Sequence, residues 1–538
     1  MDAYLKLLNE LAEFSEFTAD LKAGKTPVSV LGVSDSVRAH LISCACRKLN
    51  AGGLAVTATA DAAKRLYSDL KYFTENDVDL FPETELMFYD AEARGRDVTK
   101  ARLELLRRLT SAEKPMLVVT SAEAVTGFVP PPEVFKNGIP EFEVGLDIEL
   151  ETAAKLLTSL GYKREEMVEG EGQFSIRGGI LDIYPCAGEY DAPARIEFFD
   201  TEVDSIRLFD PQSQRTTEKI DKISIYPVRE LLLSDEQRAA LVLKLKSLIS
   251  GTDKSDERGQ KLAKSLKRDA ERIEQGMYFP SLDKYIPYIY DKLPCLLDYI
   301  PSDYIIFWDE PAAIEEAVQK NETHMQEELC RLTEYGVLHG GRYNYYTPYK
   351  EIMHRAAKGR LVGISGISRS AAEYRPARTH SFTVKSLNGF QGKLDFLTDA
   401  LRFYKQNIYR TIILAGSQVR AENLAERLDG EGIRCSYQQK LTELPAPGGI
   451  VVTHGSIQRG FEYPLIRAAI IGDREIFGEE KKKRRRLRGK TGEKISGFTD
   501  LKPGDYIVHQ NHGIGQYTGI TSLNVDGVQK DYPKIQYK

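Results

Sequence analysis

The chain has 538 residues, 74 Lys+Arg against 79 Asp+Glu for a formal charge of −5, and is 42% hydrophobic and 28% charged. These values exclude wholesale disorder and fibrous repeats, suggest three or four domains at roughly 150 residues each, and argue against a protein that coats nucleic acid along its whole length. No run approaches the ~18 apolar residues of a membrane helix, the start Met1-Asp2-Ala3-Tyr4 is no signal peptide, and Cys44, Cys46, Cys186, Cys295, Cys330 and Cys435 include no CxxC pair, so free thiols in a reducing cytoplasm are expected rather than zinc or disulfides.

Strand and helix signals alternate through the first ~125 residues. Strands are predicted at 28–33, 54–57, 78–81 and 116–120, with helices at 37–49, 62–73 and 98–109. Alternation of this kind specifies a mostly parallel sheet covered on both faces. Pro130-Pro131-Pro132 breaks the pattern. After a helix at 148–160 come short strands at 173–176, 180–184, 195–199 and 205–209, which predict an antiparallel α+β insertion. A charged helical stretch covers 235–275, and an aromatic-rich one ends in a strand at 304–308. A second α/β unit begins near Phe382, with strands at 411–415, 449–453 and 468–472 and a helix at 419–428. Beyond a basic run, 501–538 reads as short strands with glycine turns and stops without a closing element, as though cut within a domain.

A phosphate-binding loop belongs between the first strand and its helix. The residues there are Gly32, Val33, Ser34, Asp35, Ser36, Val37 and Arg38, and no GxxxxGK[ST] occurs anywhere in the chain. Without the lysine nothing reaches the β/γ-phosphates, and Asp35 repels them. The expectation is a nucleotide-shaped lobe with no cofactor and no catalytic residue. Asp309-Glu310 ends an apolar strand, where ATPases hold Mg²⁺. With no phosphate loop, a helix N-cap is the simpler expectation for that pair.

Alternation along 173–185 and 195–200 puts one set of side chains in a core and the other on an open sheet face. Arg177, Arg195 and Arg207 are expected to share that face with Phe174 or Phe198. Arginine plus aromatic is the composition of an interface hot spot. A solvated face with pairs to Glu197, Glu202 and Asp204 explains it equally well. The run Lys481, Lys482, Lys483, Arg484, Arg485, Arg486, Arg488 and Lys490 puts eight cations in ten positions. It reads as a solvated linker, with a nonspecific DNA contact as the alternative. His509 and His512 lack a third ligand, so no metal is expected. Residues 497–538 hold four Lys, four Asp and no Arg or Glu, a balance that suits a protein partner better than DNA.

The stretch 173–185, with 195–200 and Phe209-Asp210-Pro211 behind it, resembles the insertion domain of the excision-repair protein UvrB. Residues 505–517, with His512-Gly513-Ile514-Gly515, resemble the RNA-polymerase-interacting module of CarD-like transcription factors. Their order on one chain, with 411–434, 455–462 and 473–478 between them, resembles the transcription-repair coupling factor (Mfd) family.

That resemblance implies a multidomain α/β chain. It would hold a UvrB-like lobe with a degenerate P-loop-like site (1–128), a UvrA-binding insertion (129–230) and a helical, aromatic-rich remainder of the lobe (231–350). A small α/β domain (375–478), a basic linker (479–496) and a barrel-like CarD/Tudor-like module cut short (497–538) would follow. It implies a monomeric cytoplasmic adaptor that docks on stalled RNA polymerase and recruits UvrA through Phe174, Arg177, Arg195, Phe198 and Arg207. Polymerase-facing residues would be Tyr506, Val508, Gln510, Gly513, Tyr517 and Ile520, on a strand edge that pairs with the polymerase β subunit. The ATP- and Mg²⁺-dependent translocase of the family, and most of its contact with double-stranded DNA upstream of polymerase, would lie outside this chain. The rival reading is an authentic UvrB-type, ATP-dependent helicase subunit.

Overall fold

Two helices, Asp2–Asn9 and Ala12–Lys22, precede an alternating run of β1 (Val28–Leu31), β2 (Gly53–Thr57), β3 (Val78–Phe81) and β4 (Leu117–Ser121) with helices Ser36–Leu49, Ala60–Phe73 and Arg96–Ser111 between them. The insertion follows as β5 (Glu141–Glu143), β6 (Lys163–Arg164), β7 (Gln173–Arg177), β8 (Ile180–Tyr184), β9 (Ala194–Phe199), β10 (Glu202–Phe209), β11 (Thr216–Ile220) and β12 (Lys222–Ser224). The chain then returns through β13 (Ile305–Asp309), β14 (Arg360–Ser365) and β15 (Arg378–Ser381). The computed structural model describes residues 2–33, 35–90, 96–111, 114–136, 140–188, 190–341, 343–390, 393–478, 504, 506–509, 513–525 and 528–536.

The first sheet has the order β15-β1-β14-β13-β2-β4-β3, and every neighbouring pair is parallel. β2, β4 and β13 are buried along their whole length, which is why they read as unbroken apolar runs rather than alternating ones. The insertion forms a six-stranded sheet, β11-β10-β9-β8-β7-β6, antiparallel except for the β6–β7 pair, with its own core around Phe142, Leu157, Phe174, Leu181, Ile196 and Ile206.

Strands β16 (Lys385–Ser386), β17 (Arg410–Leu414), β18 (Ser436–Tyr437), β19 (Ile450–Thr453), β20 (Phe461–Tyr463) and β21 (Ala468–Ile471) build a second sheet of mixed direction. β15 falls inside 375–478 yet pairs with β1, so the second sheet starts at β16, later than that expected domain boundary. A separate unit, Glu480–Lys538, holds β22 (Tyr506–His509), β23 (Gly513–Val525) and β24 (Val528–Gln536), a three-stranded antiparallel sheet in that order. No described helix is long and apolar enough to cross a membrane.

The second α/β lobe is joined to the first by one apolar core that takes Ile412, Phe461 and Tyr463 from one side and Tyr4, Leu41 and Phe73 from the other. The segment after β19 makes the polar part of the joint. Gln458 N–H donates to Asp69 Oδ1 (2.9 Å), and Arg459 N–H donates to Ser36 Oγ (2.9 Å), which itself donates to Asp69 Oδ2 (2.7 Å). Gly455 (φ +139°) lies against Tyr72, where a Cβ would meet the ring at 2.2 Å.

His40 lies at the centre of this joint, stacked on Phe73 at 5.1 Å. Its Nε2 is 3.2 Å from the Tyr4 carbonyl, so Nε2 carries the proton and Nδ1 accepts from Tyr463 Oη (3.0 Å). Burial lowers the imidazole to about 4. A base depressed in this way contributes stability that is complete above its free pKa near 6.5 and is lost as pH falls toward 4. At pH 5 the loss is about 2 kcal/mol. Asp69, raised by burial to about 6, acts in the opposite sense but is common to wild type and variant. The expected result is that urea unfolding of wild type weakens more between pH 7 and 5 than that of His40→Gln. Equal slopes would mean that His40 does not titrate this joint.

Candidate functional site

Cross-strand register assembles the sheet face of the insertion. Ser175 lies opposite Asp182, Asp182 opposite Arg195, and Arg195 opposite Arg207. Arg177 stands two residues along from Ser175 on the same face. The three arginines therefore share one face, as alternation predicts. The aromatics expected beside them do not. Phe174 and Phe198 have the opposite parity, so Phe174 is buried in the insertion core and Phe198 packs against it. The aromatic that does stand out is Phe199, 80% exposed at the β9–β10 turn. Adjacent aromatics in a strand point to opposite faces, and Phe199, not Phe198, has the parity of Arg195.

Asp182 organises the face. Its side chain is fully buried and accepts from Arg177 Nη2 (2.8 Å), Arg195 Nε (2.8 Å) and Arg195 Nη2 (2.9 Å). Arg195 is further fixed by Gln214 (Nη2 to Oε1, 3.3 Å) and lies over the Phe209 ring at 4.7 Å. Hydrogen bonding to Asp182 holds its guanidinium above the ordinary arginine range. With its donors occupied and 16% of its side chain exposed, Arg195 supports the face rather than presenting itself. Arg177 spends one nitrogen on Asp182 and keeps 49% of its side chain exposed. It precedes the Gly178-Gly179 turn, where Gly178 has φ +61° and Gly179 O accepts Phe198 N–H (2.8 Å). That bond ties the β7–β8 tip to β9, close to Phe199.

The strand end of the first lobe explains the degenerate loop. Gly32 has φ +80°, and a Cβ there would stand 2.2 Å from Phe382 O. The glycine thus makes room for the chain leaving β15, whose Phe382 N–H donates to Leu31 O (2.9 Å). Asp35 (φ +47°) faces Arg459 Nη1 at 3.5 Å, and Ser36 is committed to Asp69. Ser34 lies outside the described residues.

Arg38 pairs with Asp309 (2.9 Å) and Glu310 (2.6 Å). The helix N-cap expected of these carboxylates is not formed. Glu310 holds the N-cap position (φ +59°) without a side-chain cap bond; Oε1 instead accepts from Arg38 Nη2 and from Gly366 N–H (2.9 Å). Burial raises Asp309 to about 6 although Arg38 lowers it. A cleft of about 730 Å³ remains beside Gly32, Arg38, Glu310, Gly366, Arg369 and Phe382. An internal guanidinium thus neutralises the acids that, in an ATPase, hold the metal.

In the C-terminal unit β22 pairs with β23 and is an edge strand among the described residues. Tyr506 is 75% exposed there, whereas Tyr517 is buried, which removes Tyr517 from any contact surface. The side chains of Val508 and Ile520, the exposure of Gly513 and all of Gln510 lie outside the described residues, as do Lys481, Lys482, Lys483, Arg484, Arg485, Arg486 and Arg488. No group of His, Cys, Asp and Glu suited to a metal occurs among the described residues.

Residues 141–231 match the UvrB interaction domain, and 501–538 match the CarD-like/TRCF RID domain. Over 544 aligned residues the chain is 32% identical to the transcription-repair-coupling factor of Bacillus subtilis, covering 100% of this chain and 46% of that protein. Identity to the Staphylococcus epidermidis transcription-repair-coupling factor is 30% (99% and 45% covered), and to that of Staphylococcus aureus 28% (96% and 44%). The chain spans about half the length of these relatives.

Proposed function

Because this chain belongs to the transcription-repair coupling factor family, we propose that it is the adaptor part of such a factor, with one surface for UvrA and another for the β subunit of RNA polymerase. The observation that carries the reading is the insertion face, where a buried Asp182 holds two arginines and leaves Arg177 half exposed. That face lies wholly within the match to the UvrB interaction domain. Arg177, Arg207 and Phe199 are its contact groups. Arg38, set between the two strand-end acids, supports a lobe that binds no nucleotide. ATP-driven translocation, with its Mg²⁺ and most of its DNA contact, then belongs to the part of the relatives that the alignment leaves uncovered.

On this reading 1–128 and 231–381 form the UvrB-like lobe, which β14 and β15 complete, and 129–230 the UvrA-binding insertion. The 385–478 domain braces the lobe, 479–496 is a linker with an auxiliary DNA contact, 497–538 belongs to a small barrel-like polymerase module, and the factor acts as a monomer.

Strand addition to β22 is the proposed polymerase contact. It draws affinity from main-chain hydrogen bonds, so loss of an N–H matters more than loss of a side chain. N–H groups alternate in direction along a strand. One of Ile507→Pro and Val508→Pro therefore removes a donor that faces away from β23. That variant, folded by circular dichroism, is expected to bind polymerase at least tenfold more weakly than alanine at the same position. Equal binding of the folded proline and alanine variants would sink strand addition.

A further inference from the structure

The cross-strand row that holds Asp182 and Arg195 continues past Arg207. Register puts Lys219 of β11 opposite Arg207, so Arg195, Arg207 and Lys219 stand side by side on three neighbouring strands. Like charges directly opposite one another destabilise a sheet. A face built only to be solvated avoids this by alternating signs.

The acids near this row do not cancel it. Asp182 serves Arg177 and Arg195. Glu197 accepts from Ser205 Oγ (2.7 Å) and offers Arg207 only a loose contact at 3.9 Å. Glu202 and Asp204 make no ion pair with these cations among the described residues, and Lys219, exposed on the edge strand, has no acidic partner among them either. Places where a sequence breaks a local rule without internal compensation are where function is expected.

We propose that Arg207 and Lys219 form the seat for a pair of partner carboxylates, extending the UvrA contact from Arg177 across the sheet to its β11 edge. The inference rests on the UvrA reading above and adds the partner's chemistry. Neighbouring strands lie ~4.8 Å apart, close to the ~5–6 Å between side chains one turn apart on a helix. The matching surface is therefore two acids three or four residues apart on a partner helix. Asp182 and Arg195, bonded to each other, fix the inner end of the row on β8 and β9.

The test is equilibrium binding of UvrA to wild type and to Lys219→Glu, Arg207→Glu and Arg177→Glu, each checked for fold by circular dichroism. Lys219 lies exposed on an edge strand, so its reversal leaves the core untouched. The proposal expects Lys219→Glu and Arg207→Glu each to weaken UvrA at least tenfold and to flatten the fall in affinity between 50 and 300 mM salt. Full affinity in both, with binding lost in Arg177→Glu, overturns the carboxylate seat but leaves the UvrA reading standing. Full affinity in all three overturns the UvrA reading itself.

Discussion

Arg177→Glu is expected to abolish UvrA binding while the insertion stays folded. Truncating a central arginine anchor costs about 2 kcal/mol or more, roughly 30-fold in affinity. Reversal adds repulsion from the acids the anchor faces. The fold tolerates the change because Arg177 contributes no core atoms and is half exposed at a hairpin tip. Asp182 also retains both of its bonds to Arg195 when Arg177 is lost. Arg195→Ala is expected to behave differently: it strips the buried Asp182 of its main partner and uncovers Phe209, so it lowers the melting temperature of the insertion as well as weakening UvrA.

The largest effect on stability is expected at Arg102, which belongs to neither docking surface. Its guanidinium is fully buried and donates to Glu230 Oε1 (2.7 Å) and Oε2 (2.9 Å), to Pro82 O (2.8 Å) and to Phe128 O (2.9 Å), with the Phe81 ring 4.2 Å away. It thereby ties the Arg96–Ser111 helix to the end of β3 at Pro82, to Phe128 beyond the short helix that follows β4, and to the segment that returns from the insertion. Arg102→Met leaves Glu230 and two carbonyls without partners in a site closed to water. Breaking one side of a buried pair costs about 3–5 kcal/mol, a large share of the 5–15 kcal/mol that holds a domain folded. Thermal or urea unfolding should register the loss. The double variant Arg102→Met/Glu230→Met should recover part of it, because no buried charge is then left alone; no recovery would mean that the pair is not the cause.

β2, β4 and β13, buried along their whole length, and the half-buried β1 all fall within two residues of the predicted runs. β14 lies between β1 and β13 in the same sheet, yet its sequence carries no clear strand signal. Its sequence, Arg360 to Ser365, is interrupted by Gly363, whose hydrogen atom faces the Tyr374 ring; only the tertiary contact explains that residue. β11 is illegible in the sequence for another reason. Thr216, Thr217, Glu218 and Lys219 are all exposed, so an edge strand shows no alternation. Only the β10–β11 register brings Lys219 into the row of cations. At the docking face the arginine parity was legible because the strands alternate cleanly, but the pairing Asp182–Arg195 required the register between β8 and β9. The role of Arg38 was out of reach altogether, since Asp309 and Glu310 lie some 270 positions along the chain and meet it only through the order of strands in the sheet.

The adaptor reading stands or falls on one titration of labelled UvrA with this chain, run for wild type and for Arg177→Glu. The account predicts saturable binding by wild type that does not change when Mg·ATP is added to the chain, and no binding by the reversed variant with an unchanged circular dichroism spectrum. Wild-type affinity in Arg177→Glu, or no UvrA binding by the wild-type chain, would contradict it.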